Sequence, residues 1–599
     1  MSDRPPTSAS QGAQRYRTPE GARDSSPAST SRKRNRRLLG VVPLLLLSAV
    51  AFAIGIAVGS QGGSDAPQRF ADAWERQDFE AMHAELAPAA REEYPIGDLA
   101  RHYVAAQATA TAIEVGTGEI SEDDGVARFE AIVKTHAFGD VSGSVALPLD
   151  DEGVIEWQPH MVFPDLEEGE ELRRETRLGE RAALLADDGT PLAEGPASVR
   201  TSPLGASAVA IAGAMGSPSK KQDTAQYALG FPEGTLVGTS GLELAFNERL
   251  AGQPGGELFA MSDADEKRTL ARGEPTDGEE VMTTIDPEVQ AAAVEALGGQ
   301  YGGVAVIDAD SGDVRGVAGL AISAPQPPGS TFKIITAVAG LDAKVVELDD
   351  EFPEETSNTV IGREISNAHD APCGGTFVES FADSCNTVFA PLGVDVGKEK
   401  MVETAEAFGF NEPPSLASAD ALEKLAPPES SLGEIESDVA LGETSIGQGQ
   451  VLATPLEMAS VAQTIANDGV RSPTSLVRTE ELRPGAEPVE VTSKETADQV
   501  EDMMLEVVRS GTGTAAQIPG ITVAGKTGTA ELGPAALAPG QILAPGEEPP
   551  QEENAWFASY APAEKPELAI AVMLINVTGG GGTVAAPVAR DIYASTLSG

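Results

Sequence analysis

Two cysteines are all that the 599 residues contain, which excludes a disulfide-dense scaffold and any multi-cysteine zinc or iron–sulfur site. Histidine is nearly as scarce. His83, His102, His136, His160 and His369 are scattered and none pairs at metal-ligand spacing, so neither a metal centre nor a histidine-based triad is expected, and no cofactor is implied. Basic side chains are also few: 41 Lys and Arg stand against 93 Asp and Glu, for a net charge of −52. Nucleic acid is therefore excluded as a partner, because displacing phosphate counterions requires a basic face. No solenoid repeat is present, and Gly447-Gln448-Gly449 lacks the strand–helix context of a nucleotide loop. What the chain does have is 41% hydrophobic residues, enough for packed cores.

The charge is unevenly placed. Residues 1–37 carry nine basic side chains and three acidic ones, ending in RKRNRR. An uncharged run of 22 residues follows, LLGVVPLLLLSAVAFAIGIAVG at 38–59. As a helix it would extend about 33 Å, enough to cross a bilayer. The basic flank stays inside, so the bulk of the chain is expected to face outward. A cleaved signal peptide is the alternative, but the run is long for one and no small-x-small cleavage site follows it. The reading is a disordered cytoplasmic tail at 1–37 and a single-pass signal anchor at 38–59.

Three further units are expected. Residues 65–172 read as α+β: two short helices in FADAWERQDFEAMHAEL, with Phe70 and Trp74 at i,i+4 and Asp78 as an N-cap, then three alternating strands. Residues 173–280 are rich in Gly, Pro, Ala and acids, and only GTSGLELAFNERLAG at 238–252 is well marked. From 281 onward the patterning sharpens. Asp286 and Pro287 start an alanine-rich helix, two apolar strands form a hairpin around Asp310-Ser311-Gly312-Asp313, and late strands precede a final helix. That order makes an α/β sandwich.

The chemistry is carried by three separated stretches. In PPGSTFKIITAVAGL, Ser330 sits at a helix start with Lys333 at i+3, which puts hydroxyl and amine on one face. A serine hydroxyl needs a base to become nucleophilic. A lysine can be that base only when desolvation or a neighbouring cation lowers its pKa. The second stretch is Ser384-Cys385-Asn386. The third is Lys526-Thr527-Gly528-Thr529 on a β-branched strand, where Gly528 would let a substrate backbone lie against the edge. Each is common alone. In this order, 54 and 142 residues apart, they are the signature set of the penicillin-recognising serine enzymes.

From the anchor onward the chain resembles the monofunctional, class B penicillin-binding proteins. The segment at 444–459, TSIGQGQVLATPLEMA, resembles one these enzymes carry between the second and third motifs; its Thr454-Pro455-Leu456-Glu457 is also a capping box. The 238–252 segment resembles the pedestal of the family, although RAALLADDG at 181–189 departs from that pedestal's usual start. Residues 65–172 resemble the cone-shaped, nuclear-transport-factor-like N-terminal domain of the methicillin-resistance type, through Trp157-Gln158-Pro159 and Phe163-Pro164 among others; a spacer role is expected of them. The resemblance implies a D,D-transpeptidase. Ser330 attacks a D-Ala-D-Ala stem peptide, Lys333 takes its proton and Ser384 relays one to the leaving D-Ala. Asn386 orients Lys333 and the substrate, while Lys526 and Thr527 hold the substrate carboxylate. The backbone N–H groups of Ser330 and Thr529 form the oxyanion hole, each worth about 3–4 kcal/mol. β-Lactams would stall as acyl-enzymes. No glycosyltransferase-sized module lies between anchor and pedestal, which implies a separate membrane polymerase partner. A β-lactamase or carboxypeptidase of the same superfamily, or a catalytically silent sensor or scaffold, are the rivals. They are disfavoured by the anchor with its stalk and by the intact Ser/Lys/Ser/Asn/Lys set.

Two local questions stay open in the sequence. Cys373 and Cys385 either form a short bridge tethering the Ser384 loop or remain one buried and one surface thiol. The Pro-, Gly- and Glu-rich segment at 532–553 either gates the cleft or is a solvated loop.

Overall fold

The computed structural model describes residues 65–360, 362–534 and 551–597. The expected tail at 1–37, the anchor at 38–59 and most of the 532–553 segment lie outside the described residues. Among the described residues no helix is long and apolar enough to cross a membrane.

In the first unit, four helices (Ala66–Glu75, Phe79–Ala84, Pro88–Glu93 and Ile96–Ala110) pack on an antiparallel sheet. Along the strand Val126–Thr135 buried and exposed residues alternate strictly, the pattern of a sheet with one face on a core. That core is aromatic: Trp74, Tyr103, Phe129 and Trp157 are all buried, with Trp74 and Trp157 ring centroids 5.6 and 6.1 Å from Tyr103. Asp78 caps its helix through Ala81 N–H as expected. The strand expected across 153–163 does not form. Ile155 makes single bridges to Leu86 and Leu149, and Pro159–Val162 is a 3-10 turn. Trp157 is instead pinned by its indole N–H, which donates to Tyr103 Oη at 3.2 Å.

The strand Glu170–Arg177 straddles the border expected at 172. It pairs with Gly255–Ser262, which pairs in turn with Lys267–Gly273. Within this second unit, Glu243 is buried between two guanidinium groups: Arg181 Nη2 at 2.5 Å and Arg200 Nε at 2.7 Å.

The catalytic unit is built on a five-stranded antiparallel sheet ordered Val314–Gly319, Gly302–Asp308, Leu568–Val577, Gln551–Ala561, Ala524–Pro534. The first strand of this sheet in chain order thus lies beside the last. One face is covered by Pro287–Leu297 and Gly581–Thr596, the other by the buried helix Pro455–Ala466. Asp286 caps the first of these helices by accepting from Glu288 and Val289 N–H. Thr454 gives only half of the expected capping box. Its hydroxyl accepts from Glu457 N–H, but its own N–H donates to Ser430 Oγ at 3.1 Å rather than to Glu457.

Candidate active site

The edge strand Ala524–Pro534 presents the third motif, and its alternation splits the motif between two faces. Lys526 shares a face with Ala524 and Gly528 and is fully buried towards the helical side. Thr527 and Thr529 lie on the other face, next to the start of the last helix, where Gly581 N–H donates to Thr529 Oγ1 at 3.4 Å.

Ser330 occupies a 3-10 turn, Gly329–Phe332, that leads directly into the helix Lys333–Asp342. The turn is seated on the strand edge. Gly329 has φ +53°, and a Cβ there would run into the Thr529 carbonyl. Gly447 packs on it from the other side, its carbonyl accepting from Gly329 N–H at 3.0 Å. Gly528 also has a packing role. A Cβ on it would lie 2.6 Å from Pro328 O and 3.0 Å from Thr331 Cγ2, so its bareness admits the nucleophile turn.

Ser384 follows the short helix Phe377–Ala382 in a left-handed conformation, φ +66°. A non-glycine residue held there carries strain of about 1–3 kcal/mol, which persists only where its surroundings enforce it. The turn is fixed by Ser384 N–H to Phe381 O and Cys385 N–H to Ser380 O. It brings the Ser384 hydroxyl between two ammonium groups, Lys526 Nζ at 2.8 Å and Lys333 Nζ at 3.3 Å. Lys333 Nζ also donates to Ser384 O and Asn386 Oδ1, both at 2.7 Å. The Asn386 amide is oriented in turn by Ser366 O at 2.9 Å. Among the described residues Ser330 Oγ has no hydrogen-bond partner. The amine placed at i+3 is drawn across to Ser384 and Asn386 in this state.

Both lysines are stripped of water. Burial, reinforced by the charge of Lys526, holds Lys333 well below the usual lysine range. Burial lowers Lys526 to about 7, with Asp383 pulling the other way. Two buried ammonium groups meeting at one hydroxyl cannot both be charged cheaply, and a neutral Lys333 is the competent base.

A cavity of about 550 Å³ opens in front of this array. Ser330, Ser384, Asn386, Thr527 and Thr529 line it, while Lys333, Lys526 and Gly528 lie behind. The arrangement offers a hydroxyl nucleophile, a desolvated amine, a second hydroxyl bridging two lysines, and threonine hydroxyls under positive potential.

A protein family described as the penicillin binding protein transpeptidase domain matches residues 302–594, and one described as the penicillin-binding protein dimerisation domain matches residues 190–283. The peptidoglycan D,D-transpeptidase PbpA of Mycobacterium tuberculosis is 31% identical over 367 residues, covering 57% of this chain and 67% of the relative. PbpA of Mycolicibacterium smegmatis is 31% identical over 438 residues, covering 62% and 82%. The chain belongs to the class B penicillin-binding proteins. The solved ceftriaxone acyl-enzyme complex of the M. tuberculosis penicillin-binding protein A is 25% identical, with a TM-score of 0.54, over 70% of this chain and 98% of that one.

This class B penicillin-binding protein is thus a serine-type D,D-transpeptidase. Its site includes residues that sequence reasoning did not single out. Thr512 Oγ1 lies 2.6 Å from Thr527 Oγ1 and donates to Ala382 O at 3.2 Å, tying the strand to the Ser384 loop. Gln448 lines the cavity and donates to Thr529 O at 3.4 Å. The 444–459 segment carried that signal, but only as a resemblance. Asp383 lines the cavity as well; burial and Glu379 raise its carboxyl while Lys526 opposes them.

The cysteine question resolves in favour of the bridge. Cys373 and Cys385 are disulfide-bonded with Cα atoms 5.5 Å apart, and both are buried. The bridge closes a short loop that holds the helix Phe377–Ala382 and Ser384. Replacing both cysteines with serine should lower stability by about 2–3 kcal/mol, the loop-closure entropy returned to the unfolded chain. Urea unfolding of wild type and variant without reductant checks this. With reductant the gap should close.

Proposed function

We propose that this class B penicillin-binding protein is a membrane-anchored enzyme that cross-links peptidoglycan stem peptides through a Ser330 acyl-enzyme and is acylated by β-lactams. The observation that carries the reading is the Ser384 hydroxyl, bonded to Lys333 and Lys526 beside the cavity that Ser330 lines. Ser330 Oγ attacks the carbonyl of the penultimate D-Ala and gives its proton to Lys333. The oxyanion that forms takes hydrogen bonds from the N–H groups of Ser330 and Thr529. Ser384 passes the proton to the nitrogen of the departing D-Ala, and the C–N bond breaks. An amine on a second stem peptide then attacks the ester, loses a proton along the same path and releases Ser330. Thr527 and Thr529 take the substrate carboxylate, with Lys526 supplying charge from behind.

Residues 38–59 act as the anchor, with 1–37 in the cytoplasm and the catalytic unit outside. The unit at 65–172 acts as a cone-shaped spacer of the methicillin-resistance type, followed by the pedestal at 173–280 and the transpeptidase unit at 281–599. A membrane glycosyltransferase supplies the glycan strands.

Incubation of the full chain with two stem peptides, one ending in D-Ala-D-Ala and one carrying a free side-chain amine, tests the chemistry by mass spectrometry. A cross-linked product with one D-Ala lost supports it. Hydrolysis without cross-linking overturns it in favour of a carboxypeptidase.

The pKa shifts fix a pH profile. Acylation should fall on the acid side, where Lys333 becomes protonated and loses its capacity as base. It should also fall as pH rises through about 7, where Lys526 in the free enzyme loses the charge that attracts the carboxylate. Lys526→Arg keeps that charge, so the alkaline limb of kcat/KM should move out of range while the acid limb remains. An unmoved alkaline limb would refute the assignment.

A further inference from the structure

Away from the catalytic cavity, a second cavity of about 330 Å³ lies at the start of the helix Pro455–Ala466. Its lining includes the carboxyl group of Glu457, which is only 7% exposed. A glutamate in this capping position would ordinarily fold back onto the Thr454 N–H, but Ser430 Oγ already occupies that donor. The carboxyl is left aimed into the cavity, and Oε1 is buried without a hydrogen-bond partner among the described residues. An orphaned buried acceptor of this kind carries the full desolvation cost unless a donor reaches it.

The surroundings define that donor. The nearest cation, Arg471, is engaged by Glu412 at 2.8 Å and makes no ion pair with Glu457. Gly409, at φ +115°, keeps the space between them open, because a Cβ there would run into Arg471 Nη1 and lie 2.8 Å from Glu457 Oε1. Glu412, Glu457 and Glu487 give the lining three carboxyl groups against one guanidinium. Leu422, Leu456, Pro413, Pro414 and Pro473 supply apolar walls. A compact apolar body with a cationic head satisfies all three features: excess negative charge, an unpaired acceptor at the base, and dry sides.

We propose that this cavity is a binding site for a small organic cation, a primary ammonium on a short apolar chain that donates to Glu457. Burial holds the Glu457 carboxyl up to about 8, with Arg471 lowering it and Glu412 raising it. At pH 7 an arriving ammonium must therefore drive a proton off the acid.

Calorimetric titration of the full chain with n-butylammonium, in two buffers of different ionisation enthalpy, tests this. Saturable binding with a Kd of about 1 mM, accompanied by proton release, is expected; n-butanol should not bind. Glu457→Gln should weaken binding by about ten-fold or more, the loss of one charge-assisted contact. If that variant fails to fold, Leu422→Trp, which fills the cavity and leaves the carboxyl in place, should give the same loss. No saturation by n-butylammonium, equal binding by Glu457→Gln, or a crystal soak showing an ordered water only at Glu457 would each overturn the proposal.

Discussion

Replacing Ser330 with alanine will abolish covalent labelling of the chain by a fluorescent penicillin, with acylation falling by at least about 10⁴-fold. Among the described residues that line the cavity, Ser330 is the one whose open hydroxyl sits at the start of the helix bearing Lys333. Neither Ser384, whose hydroxyl is held by two lysines, nor the threonines of the edge strand can replace it. Lys333→Met should cost nearly as much, because a serine without its base remains a neutral alcohol. The double variant should be no worse than either single one, as expected of groups that act as a unit. Gel labelling over a time course, with far-UV spectra to show that each variant is folded, is the measurement. Residual labelling of Ser330→Ala within about 100-fold of wild type would move the nucleophile elsewhere.

The second large effect lies in the pedestal. Glu243→Ala should destabilise the protein by about 3–5 kcal/mol, because it strands two buried guanidinium groups. Arg181 and Arg200 each retain backbone acceptors, Asn247 O for the first and Ala182, Ala193 and Gly195 O for the second. Those carbonyls satisfy N–H groups but do not neutralise charge. Burial weakens the hold of Arg181 on its proton, and Glu243 opposes that loss only in part. Removing all three charges together, with Arg181→Met, Glu243→Leu and Arg200→Met, should cost less than the single change. The shift in the first urea unfolding transition decides both points, and a Glu243→Ala loss below about 1 kcal/mol would mean that the triad is solvated.

The site was legible where chemistry depends on short spacing. Ser330 with Lys333, Ser384 with Asn386, and Lys526 with Thr527 are each a few residues apart, and the strand and helix signals around them were strong. What could not be read was how they meet. The left-handed turn at Ser384 has no glycine to announce it, and the contact of Thr512 with Thr527 depends on where one loop crosses a strand. The close approach of Pro328 to Gly528 depends on how the nucleophile turn is seated on the strand, which the tripeptide alone does not reveal. The same holds for the folds around the site. Val126–Thr135 alternates cleanly and was expected as a strand. Ile96–Ala110 buries only Leu99, Tyr103, Ala106 and Ala110, a stripe too rich in alanine to stand out from its polar neighbours. Nothing local to Arg181 or Arg200 marks either as a partner of Glu243, which lies 62 and 43 residues away.

The pairing of Gly302–Asp308 with Leu568–Val577 also sets an order of events. Everything from Ser330 to Thr529 is synthesised before the strand that must slot into the middle of the sheet, and Gly581, which touches Thr529, comes later still. A nascent chain halted before residue 568 would hold all its reactive groups and no working enzyme. Catalytic competence therefore arrives only once the strand Leu568–Val577 and Gly581 have been made.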